Sequence, residues 1–580
     1  MARRPNVILI LTDDQGYGDI ACHGNSVLET PNFDNLYRNC VRLTDFHVDP
    51  MCSPSRAALM TGRYSARTGV WSTLTGRYIM REDETTLAEV FSSSGYRTGM
   101  FGKWHLGDNY PYRPQDRGFD STLTFGAGVI GEVPDYWNNN YFHASLLRNG
   151  SHERFDRYCT DLWFDEATQF IEDCAPQPFF CYISTNAPHG PFNVHSYYSD
   201  PYIGRGVPDQ RARFYGMITN LDERLGQMQR RLVELGLEDN TIIIFLGDNG
   251  TSAGADVNRD GFCTEGYNAG MRGKKCWAYE GGHRNACFVR WPDGGLDAGR
   301  DLNSVTAHFD LMPTLISLCG LTVPDGVEFD GIDLSPYLRL ETLGSEERTL
   351  FIHNQQIDRP RKDKDLEIIR GRWRLVITDE WGPGTRELFK IDIDPGQSCN
   401  VFEQYPEVTT KLLKEYDLWW HDISVRFDEY SDVVIGSGIE EHTKLTCHSW
   451  HGIKGLYSQV QIRQGIQDNG YWAIRVDREG LYKFELRRWP NELQIPICEG
   501  VPAITGIPFV DDVPAGVPLS IKRARIKIGD HKQNANVDTN AHSAVFYCNL
   551  QSGSTRLKTW FTDESDDEMG AYYVYGSLVH

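Results

Sequence analysis

Five consecutive apolar residues, Val7-Ile8-Leu9-Ile10-Leu11, run straight into Thr12-Asp13-Asp14. A β-rich run without polar alternation suits a central strand of a parallel sheet, covered on both faces. The pattern recurs. Pro178-Phe179-Phe180-Cys181-Tyr182-Ile183-Ser184 ends at Asn186-Ala187-Pro188-His189, and Thr241 to Leu246 ends at Gly247-Asp248-Asn249-Gly250. A shorter run, Tyr96 to Phe101, ends at Gly102-Lys103-Trp104-His105. Between these runs, Thr86 to Ser94, Leu162 to Asp173, Arg211 to Leu235 and Ala307 to Cys319 show helical apolar spacing. Strands alternating with helices predict a doubly wound α/β fold, with a mostly parallel central sheet and helices on both faces. In such sheets ligands bind beyond the carboxyl ends of the strands. Asp13-Asp14, Lys103 with His105, His189 and Asp248-Asn249 are therefore expected to converge.

The texture changes after about residue 345. Short strand-like runs (Thr349 to Ile352, Leu366 to Arg370, Trp373 to Ile377, Glu387 to Ile391) precede an amphipathic segment, Pro406 to His421. A small antiparallel sheet with one helix fits. From about residue 440 the chain is β-rich, with strict alternation in Gly470 to Val476 and Gly480 to Leu486, which suggests a sandwich. The expected organisation is a large α/β domain over 1–345, a small antiparallel subdomain over 346–435 and a β-rich domain over 436–580. A length of 580 residues accommodates this.

The formal net charge of −22 disfavours nucleic acid and anionic membranes as partners. Any anion site must gather its own cations. No run reaches the ~18 apolar residues of a membrane span. Val7 to Leu11 is shorter than the apolar core of a signal peptide. The sequence thus reads as cytoplasmic, or as periplasmic or secreted if a signal has been removed. The 14 cysteines show no metal-ligand spacing and read as free thiols.

Chemistry concentrates in a few segments. Cys52-Ser53-Pro54-Ser55-Arg56 opens a helical pattern that continues through Leu59-Met60-Thr61-Gly62-Arg63. Pro54 places Cys52 at or near a helix N-terminus, where anionic character is favoured. Arg56, one turn on, shares its face. Asp13, Asp14, Asp248 and Asn249 offer four oxygen ligands that suit a hard cation such as Ca²⁺ or Mg²⁺. Taken singly, each has a plain reading: an Asp pair caps a helix or turn, a lysine is solvated, a histidine is structural. Their joint occurrence carries the chemistry.

Together these segments resemble the type I, formylglycine-dependent sulfatases of the alkaline phosphatase superfamily, arylsulfatase-like enzymes. The Cys-x-Pro-x-Arg signature with its Leu-Met-Thr-Gly continuation is matched throughout, and Gly102-Lys103-Trp104-His105-Leu106-Gly107 matches a further element position for position. The resemblance implies that a formylglycine-generating enzyme oxidises Cys52 to an aldehyde. Its hydrate offers two hydroxyls, one to take up sulfate and one to expel it. By the same resemblance Asp13, Asp14, Asp248 and Asn249, with the modified Cys52, hold the metal, usually Ca²⁺. Arg56 holds the aldehyde hydrate, Lys103 contacts it and sulfate, and His105 is the base. His189, in Asn-Ala-Pro-His-Gly-Pro, lies near the bridging oxygen. Lys275, five residues before Glu280-Gly281-Gly282-His283-Arg284, joins His189 as a candidate for protonating the leaving alkoxide. Lys274 is adjacent, and spacing favours Lys275. Asp394-Pro395-Gly396-Gln397 resembles a late family turn, with Gln397 where a Glu is usual.

A sulfated small molecule or glycan is the implied substrate, and an oligomer is compatible with the sequence. A phosphonate or phosphate ester hydrolase with the same nucleophile is the alternative; an inactive sulfoglycan-binding protein is a further one. His353-Asn354 could line the pocket. Trp137, Trp277 and Trp381 could stack on a ring, and Trp450, Trp472, Trp489 and Trp560 could form a carbohydrate platform, although core packing is the commoner fate of tryptophan.

Overall fold

The computed structural model describes residues 4–340, 347–452 and 455–579. Its largest sheet is built from β1 (Asn6–Thr12), β2 (Val41–His47), β3 (Arg97–Gly102), β4 (Ser121–Thr124), β5 (Ala144–Arg148), β6 (Ser151–Phe155), β7 (Phe179–Ser184) and β8 (Thr241–Gly247). A separate ribbon pairs β9 (Ala255–Val257) with β10 (Cys263–Gly266), and β11 (Cys287–Arg290) and β12 (Arg300–Ala307) return to the sheet. The order is β12-β2-β11-β8-β1-β7-β3-β4-β5-β6. The four runs read from the sequence are its centre, β8-β1-β7-β3, adjacent and parallel.

The alternation of β1 explains why its run carries no polar residue. Val7, Leu9 and Leu11 pack with helices Cys52–Thr61, Leu87–Ser93 and Leu311–Cys319 on one face. Ile8 and Ile10 pack with Pro31–Arg38, Cys159–Cys174 and Asp209–Glu234 on the other. Successive side chains point to opposite faces, and both faces are buried. Each such side chain removed from water contributes roughly 1.5–3 kcal/mol. Helix Leu87–Ser93 starts at a capping box, with Thr86 Oγ1 accepting from Glu89 N–H and the Glu89 carboxylate accepting from Thr86 N–H.

One predicted helix is shorter than its periodicity suggests. The segment from Ala307 ends β12, makes a 3₁₀ turn at His308–Asp310, and becomes α-helical at Leu311. The Asp310 carboxylate accepts Ala307 N–H at 2.7 Å, which closes that turn. Strands β2, β4, β5, β6, β11 and β12 were not read from the sequence; of these β6, Ser-His-Glu-Arg-Phe, is a polar sheet edge.

The small sheet is antiparallel, β13 (Thr349–His353), β14 (Leu366–Arg370), β15 (Trp373–Ile377) and β16 (Arg386–Lys390) in order. Helix Pro406–Ile423 covers it with Leu412, Tyr416 and Trp419. The β-rich region forms two sheets that share a core of Trp472, Phe484, Trp489, Phe546 and Phe561. Tyr78, Ile79, Tyr112, Val133 and Trp137 from the N-terminal half complete that core. Trp450, Trp472 and Trp489 are at most 2% exposed, so they pack the core and present no sugar platform. Trp560 is covered by the Arg525 guanidinium. Trp137 and Trp277 are likewise buried. No helix among the described residues is long and apolar enough to cross a membrane.

Candidate active site

Backbone hydrogen bonds carry the sheet register past the strand ends. Asp248 N–H donates to Thr12 O, Asp13 N–H to Ala187 O, and Lys103 N–H to Ser184 O. The four loops leave the same edge of the sheet side by side. Gly102 permits the closest approach: at φ 112°, a Cβ there would lie 2.0 Å from Ser184 O.

Cys52 is the first residue of helix Cys52–Thr61 and points into the space between these loops. Its Sγ lies 3.3 Å from Asp13 Oδ1, 3.4 Å from Asn249 Oδ1 and 3.6 Å from Lys275 Nζ. Asn249 Nδ2 donates to Asp14 Oδ1 at 2.9 Å, and Asp248 Oδ1 accepts Asp14 N–H at 3.1 Å. The metal-ligand candidates Asp13, Asp14, Asp248, Asn249 and Cys52 therefore occupy one buried cluster.

Cations surround it. Lys103 Nζ is 2.7 Å from Asp13 Oδ2, and Lys275 Nζ is 2.5 Å from Asp14 Oδ1. Arg56 donates through Nε and Nη2 to Asp248 Oδ2, and through Nη1 to Ser184 Oγ and Lys103 O. Lys274 turns away to the Ser252 and Ala255 carbonyls. Burial opposes ionisation of Asp13, but Lys103, His189 and Arg56 outweigh it and hold the carboxyl well below the usual range. Burial and the neighbouring Asp13 push Asp248 up to about 6. Burial, then Asp13, pushes the Cys52 thiol well above its ordinary value. A thiol kept protonated in this way is a poor nucleophile.

His189 Nε2 is 3.6 Å from Asp14 Oδ2, and its Nδ1 is 2.7 Å from Gly190 O. With its side chain 23% exposed, it stands at the solvent side of the cluster. His105 lies deeper. Its Nε2 is 3.2 Å from Thr73 O, and Nδ1 has no partner among the described residues. Its imidazole lies against Gly128, where a Cβ would come within 2.4 Å of Cε1. Burial, then Lys103 and His448, keeps it neutral. Among the described residues no hydrogen bond joins His105 to Cys52.

Three non-glycine residues of these loops have left-handed backbone: Asp14 (φ 68°), His105 (φ 58°) and Cys276 (φ 77°). Each costs of order 1–3 kcal/mol, and such residues cluster where side chains are aimed for function. Dihedral strain of this kind has no sequence signal at Asp, His or Cys.

A second buried cluster, Asp45, His47 and Glu280, is filled by a guanidinium. Arg374 from β15 donates to Glu280 Oε1 at 2.5 Å and to Asp45 Oδ1 at 2.8 Å. His47 Nε2 is 2.9 Å from Asp45 Oδ1, and His283 Nε2 is 2.6 Å from Glu367 Oε2. Gln397 Nε2 donates to Glu367 Oε1 at 2.8 Å, while its Oε1 accepts Glu280 N–H at 2.9 Å. This network pins the small sheet to the turn that follows Lys275. His353 and Asn354 are buried, and Asn354 Nδ2 donates to Cys276 O at 2.8 Å, next to Lys275. Sequence reasoning missed Arg374, Ser184, Thr73 and His448; only Ser184, at the tip of β7, sits where a strand end could have flagged it.

An α/β sheet with carboxylates, an amide and lysines gathered around a helix-N-terminal cysteine defines a hydrolase for an anionic ester. The sulfatase profile matches residues 5–321, and the chain belongs to the sulfatase family. It is a sulfuric ester hydrolase. The chain is 30% identical to N-acetylgalactosamine-6-sulfatase of Canis lupus familiaris, over 76% of this chain and 86% of that protein. It is 33% identical to arylsulfatase A of Homo sapiens, over 62% of this chain and 73% of that protein. Among solved structures it resembles Ps i-CgsB in complex with k-i-k-neocarrahexaose, with TM-score 0.63 and 27% identity, over 72% of this chain and 93% of that one.

Proposed function

We propose that the chain hydrolyses an aryl or carbohydrate sulfate monoester through a formylglycine made from Cys52, with a divalent cation held beside it. The observation that carries this reading is the place of Cys52 Sγ, within 3.3–3.6 Å of Asp13, Asn249 and Lys275. Sγ stands where the hydroxyls of the hydrated aldehyde would be, and the thiol itself is held protonated.

The donor set fits a hard cation. Three buried carboxylates and the Asn249 carbonyl supply oxygen only, which suits Ca²⁺, with Mg²⁺ as the other candidate. Asp13, Asp14, Asp248 and Asn249 would hold it, and when bound it supplies Lewis-acid polarisation of a sulfate oxygen.

The chain's own residues account for the rest. Lys103 and Lys275 neutralise sulfate locally against the global charge of −22. Arg56 fixes Asp248 and, through Ser184 and the Lys103 carbonyl, the relative positions of three strand ends. His105, donating from Nε2 to Thr73 O, keeps the lone pair of Nδ1 for proton removal. His189 at the solvent side, and Lys275 beside Cys52 and Asp14, are the candidates for protonating the leaving alkoxide. A formylglycine-generating enzyme acts on the chain before it is active.

Mass spectrometry of the Cys52 peptide, with turnover measured on the same sample, tests the proposal. The aldehyde is expected in active protein, and active protein carrying only the thiol would refute the mechanism. Cys52→Ala is expected to lose turnover with the fold intact. His105→Ala is expected to accumulate sulfated enzyme. A phosphonate ester preferred over the matching sulfate by a large factor in kcat/KM would overturn the substrate class.

A further inference from the structure

Beside His189 opens a cleft of about 410 Å³, walled by two distant parts of the chain. His189, Gly190 and Pro191 form one end of it, so it is continuous with the exposed side of the proposed catalytic cluster. Val129 and Ile130 come from the N-terminal half; Val460, Ile504, Val510 and Val513 come from the β-rich region. That region lies beyond residues 5–321, where the family match falls.

The roof is fastened, not draped. Ile504 and Val513 exchange backbone hydrogen bonds at 2.9 and 2.8 Å, which close the loop between them. Asp511 Oδ1 pairs with Arg213 Nη1 at 2.9 Å, and the Phe509 ring rests 4.3 Å from His195. On the other side, Val133 N–H donates to Tyr457 O at 2.9 Å.

The charge of this cleft is unlike that of the cluster next to it. Among the described residues that line it, Arg463 alone carries a permanent positive charge. Arg463 is 1% exposed, and its donors are committed to Pro502 O, Pro514 O and Asn138 Oδ1 at 2.8–3.0 Å. Glu132, Asp511 and Asp512 also line the cleft. A second sulfate or a carboxylate placed there would lose water, meet acids and find no free cation. The other polar residues of the lining are neutral, Asn139, Asn140, Ser458, Gln459 and Asn193, and Asn193 is 2% exposed.

We propose that the 504–513 loop of the β-rich region roofs the leaving-group subsite, and that the preferred substrate is a monosulfated alcohol with an uncharged, largely apolar body. Lys103 and Lys275 hold the one sulfate. The body of the alcohol passes His189 into the cleft and packs against Val129, Ile130, Val510 and Val513. Polysulfated chains are rejected by the missing cations. This rests on the assignment of Cys52, Lys275 and His189 proposed above.

The test compares 2-naphthyl sulfate with 2-naphthyl sulfate carrying a 6-sulfonate, on full-length enzyme whose Cys52 conversion has been verified. The reacting bond is the same, and the added charge is remote from it. The sulfonated ester is expected to show kcat/KM lower by about tenfold or more, as like charges in a partly dry cleft require. Val510→Lys, at a half-buried roof position, is expected to move that ratio back toward the sulfonated ester by about tenfold. Equal kcat/KM for the two esters in the unaltered enzyme would overturn the proposal, as would an unchanged ratio in an active Val510→Lys variant. Failure to hydrolyse any sulfate ester with Cys52 converted would instead bring down the catalytic assignment, and this proposal with it.

Discussion

The Arg56 guanidinium donates in three directions, to Asp248, Ser184 and the Lys103 carbonyl, and it is buried with all of them. Removing it leaves the Asp248 carboxylate without its cation, which costs about 3–5 kcal/mol at a buried pair. Arg56→Ala is expected to lower the urea midpoint accordingly and to abolish turnover. Arg56→Lys is expected to recover part of the stability only, because an ammonium cannot reproduce the planar fork. An Ala variant as stable as the parent would refute this account. The same crowding of Asp13, Asp14 and Asp248 predicts the effect of a chelator: the melting temperature falls and activity is lost, and Ca²⁺ restores both. A chelator without effect on melting would argue against a resident cation.

At this scale the sequence was most legible. Cys52 and Arg56 lie in one consecutive motif, and Asp13, Asp14, Lys103, His189, Asp248 and Asn249 close strand runs whose burial shows in their composition. Lys275 was read from the family resemblance, in which spacing to Glu280 sets it apart from Lys274; Lys274 donates to the Ser252 and Ala255 carbonyls. What composition could not show was Thr73 O accepting from His105, or His448 from a distant segment packed at a tilt against it, with ring centroids 6.1 Å apart. Such partners meet only through tertiary packing.

Among elements, the small sheet acts on the site through buried charge. Its strands β14 and β15 contribute Glu367 and Arg374 to the network beneath the Glu280 turn. Gln397 satisfies that network as an amide: it donates to one carboxylate and accepts a backbone N–H. A glutamate there could not donate to Glu367 when ionised, and two carboxylates would face each other without water. Gln397→Glu is therefore expected to cost about 1–3 kcal/mol in chemical denaturation near neutral pH. The loss should shrink as the pH falls and the added carboxyl protonates; a loss independent of pH would point to packing instead. The turn was read from its resemblance to a late family element, but its partners were not. Element boundaries followed the same division. The four central strands were legible from their unbroken apolar runs, whereas β6, polar and at an edge, gave no such signal, and the helical spacing read over Ala307 to Cys319 masked the 3₁₀ turn at His308–Asp310.

For the whole molecule, the change of texture near residue 440 suggested a separate β-rich unit, yet the packing ties it to the rest. Tyr78, Ile79, Tyr112, Val133 and Trp137 share one apolar cluster with Trp472, Trp489 and Tyr573. Tyr78 also donates to Asp108 at 3.0 Å and lies 2.7 Å from Ser449 Oγ, a short step from His105. An interface this apolar resembles a divided core, and a divided core unfolds as one. Calorimetry of the full chain is expected to show a single transition in which the β-rich tryptophans and the catalytic activity are lost together. Trp137→Ala, which empties a position against Trp489 and Arg463, is expected to lower that transition by the ~3–5 kcal/mol of a large core deletion without splitting it. Two resolved transitions in the parent protein, with activity surviving the first, would show instead that the β-rich region folds and melts on its own, and that the shared cluster adds little to either half.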